Sequence, residues 1–172
     1  GNNEEDNFPY VPIDPISPKS LGLSLTAKSE DAKSSLIKFK KDDILFGAMR
    51  PYFHKVSLAP FDGLTRTTCF ILRPKNKNAL AFCTLLIFQE ETINFANSHS
   101  EVSTIPYAKW NNSLENMPIC VPPNEILSKF NDVIYPMLEM IRESFFENMN
   151  LITIRDSLLP RLMSGKIRTK TL

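Results

Sequence analysis

Met49-Arg-Pro-Tyr-Phe-His-Lys55 sets three potential cations among two aromatics in seven residues, and Pro51 stiffens the backbone between them. Arg50 offers a planar fork suited to a phosphate or to the O6/N7 edge of guanine, while His54 and Lys55 offer point donors. The competing reading of this segment is a strand end with solvated cations. Ser98 to Thr104 is crowded with short hydroxyl and amide side chains, the type that contacts phosphates and base edges without filling a groove. Both segments point to polyanion recognition rather than bond-breaking. Ser98-His-Ser-Glu101 places hydroxyls, an imidazole and a carboxylate side by side, but triad members converge through the fold, seldom from neighbouring positions. Glu30-Asp-Ala-Lys33 contains half of a metal-nuclease pattern without a paired upstream acid, and reads as surface charge. G-x-G-x-x-G, G-x-x-x-x-G-K-[ST] and G-x-S-x-G do not occur, and the only Pro-Pro pair is Pro122-Pro123.

The charge pattern agrees with a limited polyanion-binding face. A net charge of +1 hides a block of seven basic against four acidic residues from Lys28 to Lys55 and one of four against one from Phe61 to Asn78. Gly1 to Asn7 carries −3, Ala79 to Glu125 carries −4, and the remainder from Ile126 carries +2. Wholesale counterion release of the histone type does not fit such a distribution.

These residues need a scaffold, and 172 residues with 42% apolar and 23% charged composition provide one globular domain plus an appendage. Disorder, collagen and small disulfide knots are excluded. Cys69, Cys83 and Cys120 are odd in number, widely spaced and accompanied by only two histidines, which supports neither a disulfide framework nor a zinc site. A reducing cytoplasm is the expected location. The longest apolar run, Ala79 to Phe88, is half the roughly 20 residues of a membrane span, and no secretory signal opens the chain. Gly1 in place of methionine reads as a cloned piece of a longer protein, with residues 1–7 a disordered or cloning-derived start.

Pro9, Pro12, Pro15 and Pro18 predict extended segments between turns in residues 1–35. Leu36 to Phe39, Ile44 to Phe46, His54 to Ala59 and Thr67 to Arg73 read as short strands of a small sheet, with Phe61-Asp-Gly63 a turn joining the last two. Ala79 to Asn97 reads as one amphipathic helix with Asn78 as N-cap, packed on the sheet. A polar loop from Ser98 to Tyr107 follows, and Pro122-Pro123 closes the domain.

Beyond Pro123 the apolar residues Leu127, Phe130, Ile134, Leu138, Ile141, Phe145, Met149 and Ile152 recur at steps of three or four, a mean near 3.6. A helix from Asn124 to Met163 would measure roughly 60 Å at ~1.5 Å per residue, more than so small a domain can cover. Part of the stripe is therefore expected to meet a partner, through Leu138, Ile141 and Phe145. The alternative is a helix folded back on its own core. Pro136 removes the hydrogen bond to the carbonyl of Asp132 and predicts a kink, while Pro160 and Gly165 are expected to end the helix.

Three separated segments, in order, resemble the specificity subunits of type I restriction-modification enzymes. They are Phe39-Lys-Lys-Asp-Asp-Ile-Leu-Phe-Gly-Ala-Met-Arg-Pro-Tyr-Phe-His-Lys-Val56; Ala96-Asn-Ser-His-Ser-Glu-Val-Ser-Thr-Ile-Pro106 with Lys109-Trp110 and the exit Met117-Pro-Ile-Cys-Val-Pro-Pro123; and Ile154-Arg-Asp-Ser-Leu-Leu-Pro-Arg-Leu-Met-Ser-Gly-Lys-Ile167. The resemblance covers about Leu36 to Ile167. It implies an α/β domain of mixed α+β character (8–123) that reads one half of a split DNA site, a long conserved dimerisation and spacer helix (124–165), and a tail (166–172). Complete subunits carry two such pairs, so the chain resembles a C-terminal half or a half-length form that dimerises.

On this resemblance Lys40, Lys41, Arg50, Tyr52, His54, Lys55, Arg66, Ser98, His99, Ser100, Ser103, Thr104 and Lys109 are the expected contacts to double-stranded DNA. Phe130, Ile134, Leu138, Ile141, Phe145, Met149 and Ile152 are the expected helix seam, pairing with a second copy or an equivalent half. Chemistry is implied to belong to partners: modification (methyltransferase) subunits using S-adenosylmethionine and a restriction subunit using ATP and magnesium, this chain being non-catalytic and cofactor-free. The competing function is an assembly adaptor whose helix mediates protein association without base readout.

Overall fold

Ile44-Leu-Phe-Gly47 is buried on both sides, and a strand in that position must be covered twice. The computed structural model describes residues 8–24, 36–101 and 104–167. In it, Ile44–Gly47 forms β2, the centre of an antiparallel sheet whose flanking strands are β3 (Val56–Leu58) and β5 (Cys69–Leu72), in the order β3-β2-β5. Alternation of side chains along β2 divides the core. Ile44 and Phe46 point into a cluster with Val56, Leu58, Leu80, Ala81, Ile93 and Leu138. Leu45 points the other way, toward Val11, Ile16, Phe39, Ala59 and Cys69.

That second side is closed by β1 (Leu36–Phe39), which pairs antiparallel with β4 (Gly63–Arg66), and by residues 8–24. The expected turn at Phe61-Asp-Gly63 instead ends in a strand at Gly63, because Phe39 covers that position and the carbonyl of Pro9 accepts from Leu64 N–H at 2.9 Å. The proline-rich start is extended: Tyr10, Ile16 and Pro18 form isolated bridges with Leu64, Leu23 and Lys55.

Helices cover the first side. The single helix expected over Ala79 to Asn97 is two, α1 (Leu80–Phe88) and α2 (Glu90–Ser98), broken where Gln89 takes an extended conformation. The physical reason is a change of environment. Leu-Ala-Phe-Cys-Thr-Leu-Leu-Ile-Phe is apolar all round and lies between the sheet and the long helix, whereas α2 is amphipathic and starts with Glu90 and Glu91, which favour a fresh N-terminus. Thr92 Oγ1 donates to the carbonyl of Leu86 at 2.6 Å across the break. The cap also moves: Asn76, not Asn78, supplies the accepting oxygen, to Asn78 N–H at 3.0 Å, opening a 3-10 turn at Lys77–Ala79.

α3 is a 40-residue helix, Asn124–Met163, continuous through Pro136 and Pro160. Both Pro136 and Asp132 are exposed, so solvent reaches the carbonyl that lacks its N–H partner. Pro160 does not end the helix. Gly165 does, in the left-handed conformation (φ 70°) with its N–H on the carbonyl of Leu162 at 3.1 Å. The fold is thus an α+β unit with a long C-terminal helix, and no helix among the described residues is long and apolar enough to cross a membrane.

The stripe traced in the sequence divides. Leu127, Leu138 and Phe145 are buried against the chain's own domain, Phe145 with its ring 5.7 Å from that of Phe61. Ile134 is half-buried on the same core, Met149 and Ile152 are half-buried near Leu23, and Phe130 and Ile141 are exposed. Expecting a partner through Leu138 and Phe145 is therefore corrected: their apolar surface is already covered in cis. The exposed residues form a second seam, Val133, Met137, Met140, Leu151, Ile154 and Leu158, about 130° around the helix from the first. Residues 153–166 are exposed throughout.

Candidate nucleic-acid interface

β2 delivers the chain to Met49 and Arg50 at its C-terminal end. Arg50 and His54 both take left-handed backbone conformations (φ 53° and 52°) on either side of a 3-10 turn at Pro51–Phe53. Non-glycine residues pay about 1 kcal/mol or more to sit there, so the turn must be held from outside. His54 does this. It is buried, its Nε2 lies 2.7 Å from the carbonyl of Phe88 at the end of α1, and its ring packs 4.7 Å from the Phe88 ring. Its backbone carbonyl accepts from Lys19 N–H at 2.9 Å.

The turn consequently presents Arg50, Tyr52 and Phe53 outward, with the Arg50 guanidinium 5.9 Å from the centre of the Phe53 ring. His54 and Lys55 do not share that surface. Lys55 Nζ donates to the carbonyls of Ile13 (2.9 Å) and Asp14 (3.3 Å) and pins the N-terminal segment.

The Arg50 turn and the hydroxyl-rich loop, far apart in sequence, are joined. Arg50 N–H donates to the carbonyl of Pro106 at 2.8 Å, Ala108 N–H to that of Ala48 at 2.8 Å, and Met49 and Glu101 each bridge to Tyr107. The hydroxyl of Tyr107 donates to the carbonyl of Thr67, next to Arg66 at the end of β4. Arg66 is half-buried, and Ser98, His99, Thr104 and Lys109 are exposed on the loop side. Ser103 lies outside the described residues.

Local hydrogen bonding constrains what the loop offers. The last carbonyls of α2 accept from the backbone N–H groups of His99 (to Phe95 O, 3.1 Å) and Ser100 (to Asn97 O, 3.3 Å), and side chains add second hydrogen bonds to the same oxygens. Ser98 Oγ donates to Phe95 O (3.0 Å) and Ser100 Oγ to Asn97 O (2.7 Å), while His99 Nδ1 lies 2.9 Å from Phe95 O and its ring stacks at 4.0 Å on Phe95. Glu101 pairs with Lys109 rather than His99, so no acid–base relay forms. The three side chains offer rigidly placed lone pairs and an aromatic edge.

Lys40 and Lys41 are not part of this surface. They occupy the corner before β2, at the opposite end of that strand from Arg50, and meet Arg73, Lys75 and Lys77 there. Those three were missed as site residues; the basic block from Phe61 to Asn78 announced their charge but not the neighbours they meet. Phe53 was missed too, its exposure being set by the two left-handed residues around it.

No family model matches the chain. Over 96 residues, 56% of this chain, it is 33% identical to the type I restriction enzyme MjaIX specificity subunit of Methanocaldococcus jannaschii, of which that stretch is 21%. A solved chain from a study of the structural basis of complex assembly and conformational transition of the type I R-M system superposes over 96% of this chain and 44% of its own length, with a TM-score of 0.58 and 20% identity. This chain therefore spans about a fifth of the curated relative and under half of the solved one. In sequence it is similar to a type I specificity subunit and in fold to a chain of a type I assembly, the same enzymes its three ordered motifs resemble.

Proposed function

We propose that the chain is the DNA-reading and spacing part of a type I specificity subunit. The observation that carries the reading is the junction of the Arg50 turn with the 98–107 loop, which gathers Arg50, Tyr52, Phe53, Thr104 and Lys109 on one end of the domain. Arg50 supplies the fork for a base edge or phosphate, Lys109 and Arg66 supply phosphate contacts, and the α2 terminus sets the loop rigidly. The reach of this surface is one half-site.

In this reading α3 fixes the distance to a second recognition domain by pairing with an equivalent helix, in a second copy or another half of the same protein. Its exposed seam of Val133, Met137, Met140, Leu151, Ile154 and Leu158 is the contact. Modification and restriction subunits carry the chemistry, with S-adenosylmethionine, ATP and magnesium bound there, and the complex works in the cytoplasm. The test is duplex binding by the assembled enzyme, using DNA that contains the site at which cells with the intact system methylate adenine. Arg50→Ala is expected to weaken binding by roughly 1–3 kcal/mol and to relax discrimination at one position. Unchanged affinity after joint replacement of Arg50, Tyr52 and Lys109 removes this surface from consideration.

The second reading is an assembly adaptor, favoured by the exposed seam of α3. It requires duplex binding by the complex to be nearly insensitive to salt.

A further inference from the structure

Lys40, Lys41, Lys75 and Lys77 line a concavity of about 810 Å³ between the β1–β2 corner, the segment after β5 and the face of α3 that carries Asn131 and Tyr135. Two carboxylates, Asp42 and Asp43, also line it, and each is paired with a guanidinium, the one on Asp42 being shared with Glu139. Asp43, 1% exposed, accepts both arms of Arg73 at 2.5 and 2.6 Å, and Asp42 accepts Arg142 Nη1 at 2.8 Å. Backbone hydrogen bonds of 2.7 Å from Lys40 N–H to Asp43 and from Lys41 N–H to Asp62 hold the corner itself. All four lysines are exposed, and among the described residues none has a salt bridge. Four uncompensated ammonium groups from two separate segments thus face one hollow, whose walls concentrate their field.

We infer that this hollow is a second, sequence-independent grip on the phosphate backbone of duplex DNA. The inference rests on the proposed DNA-reading function. Ammonium groups are point donors that follow charge without matching a base edge, and the planar fork nearby, Arg73, is engaged with Asp43. β2 stands between the hollow and Arg50, so the two contacts are physically distinct. Phosphate contact beside α3 secures the duplex next to the spacer, while the Arg50 end reads sequence.

The experiment uses the assembled enzyme, a random-sequence duplex and a duplex carrying the methylated site, across a salt series. Replacing all four lysines by glutamine is expected to weaken binding to both duplexes by the same factor and to reduce the slope of log affinity against log salt by up to about 3.6, at ~0.9 per phosphate contact. A fourfold Lys→Arg variant should retain the slope, and unchanged thermal unfolding of both variants confirms that only surface charge was altered. An unchanged slope in an enzyme that still binds its site overturns the inference and leaves the Arg50 surface standing. Loss confined to the methylated-site duplex, or loss of partner-subunit assembly at an unchanged slope, also overturns it. A wild-type enzyme without duplex affinity would instead overturn the proposed function.

Discussion

Arg142 and Asp42, one hundred residues apart, close on each other: Arg142 Nη1 donates to Asp42 Oδ1 at 2.8 Å, on a helix position that is 7% exposed. Tyr135 lies 3.4 Å from the second guanidinium nitrogen, and Glu139 pairs with the same group one turn back along α3. Asp42 itself sits in the left-handed region (φ 70°), which an aspartate tolerates in a tight corner. The pair sets the register of the long helix on the domain.

Arg142→Met should therefore destabilise the chain by about 2–4 kcal/mol, toward the low end because Asp42 stays partly solvated once its partner is gone. Urea unfolding measures it. A change under about 0.5 kcal/mol would mean the contact behaves as an ordinary surface pair.

Neighbouring positions on α3 should separate folding from association. Leu138→Ala empties a site that is 4% exposed and is expected to cost about 2–5 kcal/mol. Met137→Glu with Met140→Glu, on side chains 54% and 66% exposed, should leave stability within about 0.5 kcal/mol and shift sedimentation toward monomer. Association lost with Leu138→Ala at full stability, and kept in the double variant, would assign the seams the other way round.

The three thiols should react in order of access. Cys120 is exposed, Cys83 is half-buried with its thiol pushed up by burial, and Cys69 is buried with its thiol raised to about 12, desolvation outweighing the hydrogen bonding that opposes it. Alkylation followed by mass spectrometry should mark Cys120 first and Cys69 only on unfolding. Because the unfolded Cys69 thiol ionises near the ordinary value of 9.0 and the folded one near 12, its contribution to stability is complete below pH 9 and declines as pH rises toward 12. Cys69→Ala should flatten that decline in urea midpoints.

Gly63→Ala should destabilise by about 1–3 kcal/mol in thermal or urea unfolding, since a Cβ there would stand 2.5 Å from Phe39 Cζ and 2.8 Å from the carbonyl oxygen of Pro9. Pairing with a smaller residue, Phe39→Leu, should recover part of the loss.

Several elements were legible before any coordinates. The 3.6-residue recurrence after Pro123 specified a helix whose limits are Asn124 and Met163, and alternating β-rich runs specified β1, β2, β3 and β5. Local chemistry suffices for these, because helix and strand periods are written residue by residue. β4 escaped, being four residues beginning with glycine, and its pairing with β1 depends on Phe39 and Pro9 from elsewhere in the chain.

The sequence by itself determined which segments are helical, where the apolar stripe runs, and that cations and aromatics meet around Pro51. Only the tertiary structure decided that His54 and Lys55 turn inward, that Lys40 and Lys41 join Lys75 and Lys77 rather than Arg50, and that the domain covers Leu138 and Phe145 while Met137 and Met140 stay bare. The physical reason is that periodicity dictates local geometry, whereas burial and charge pairing are settled by contacts between residues as distant as Asp42 and Arg142, which no local window contains.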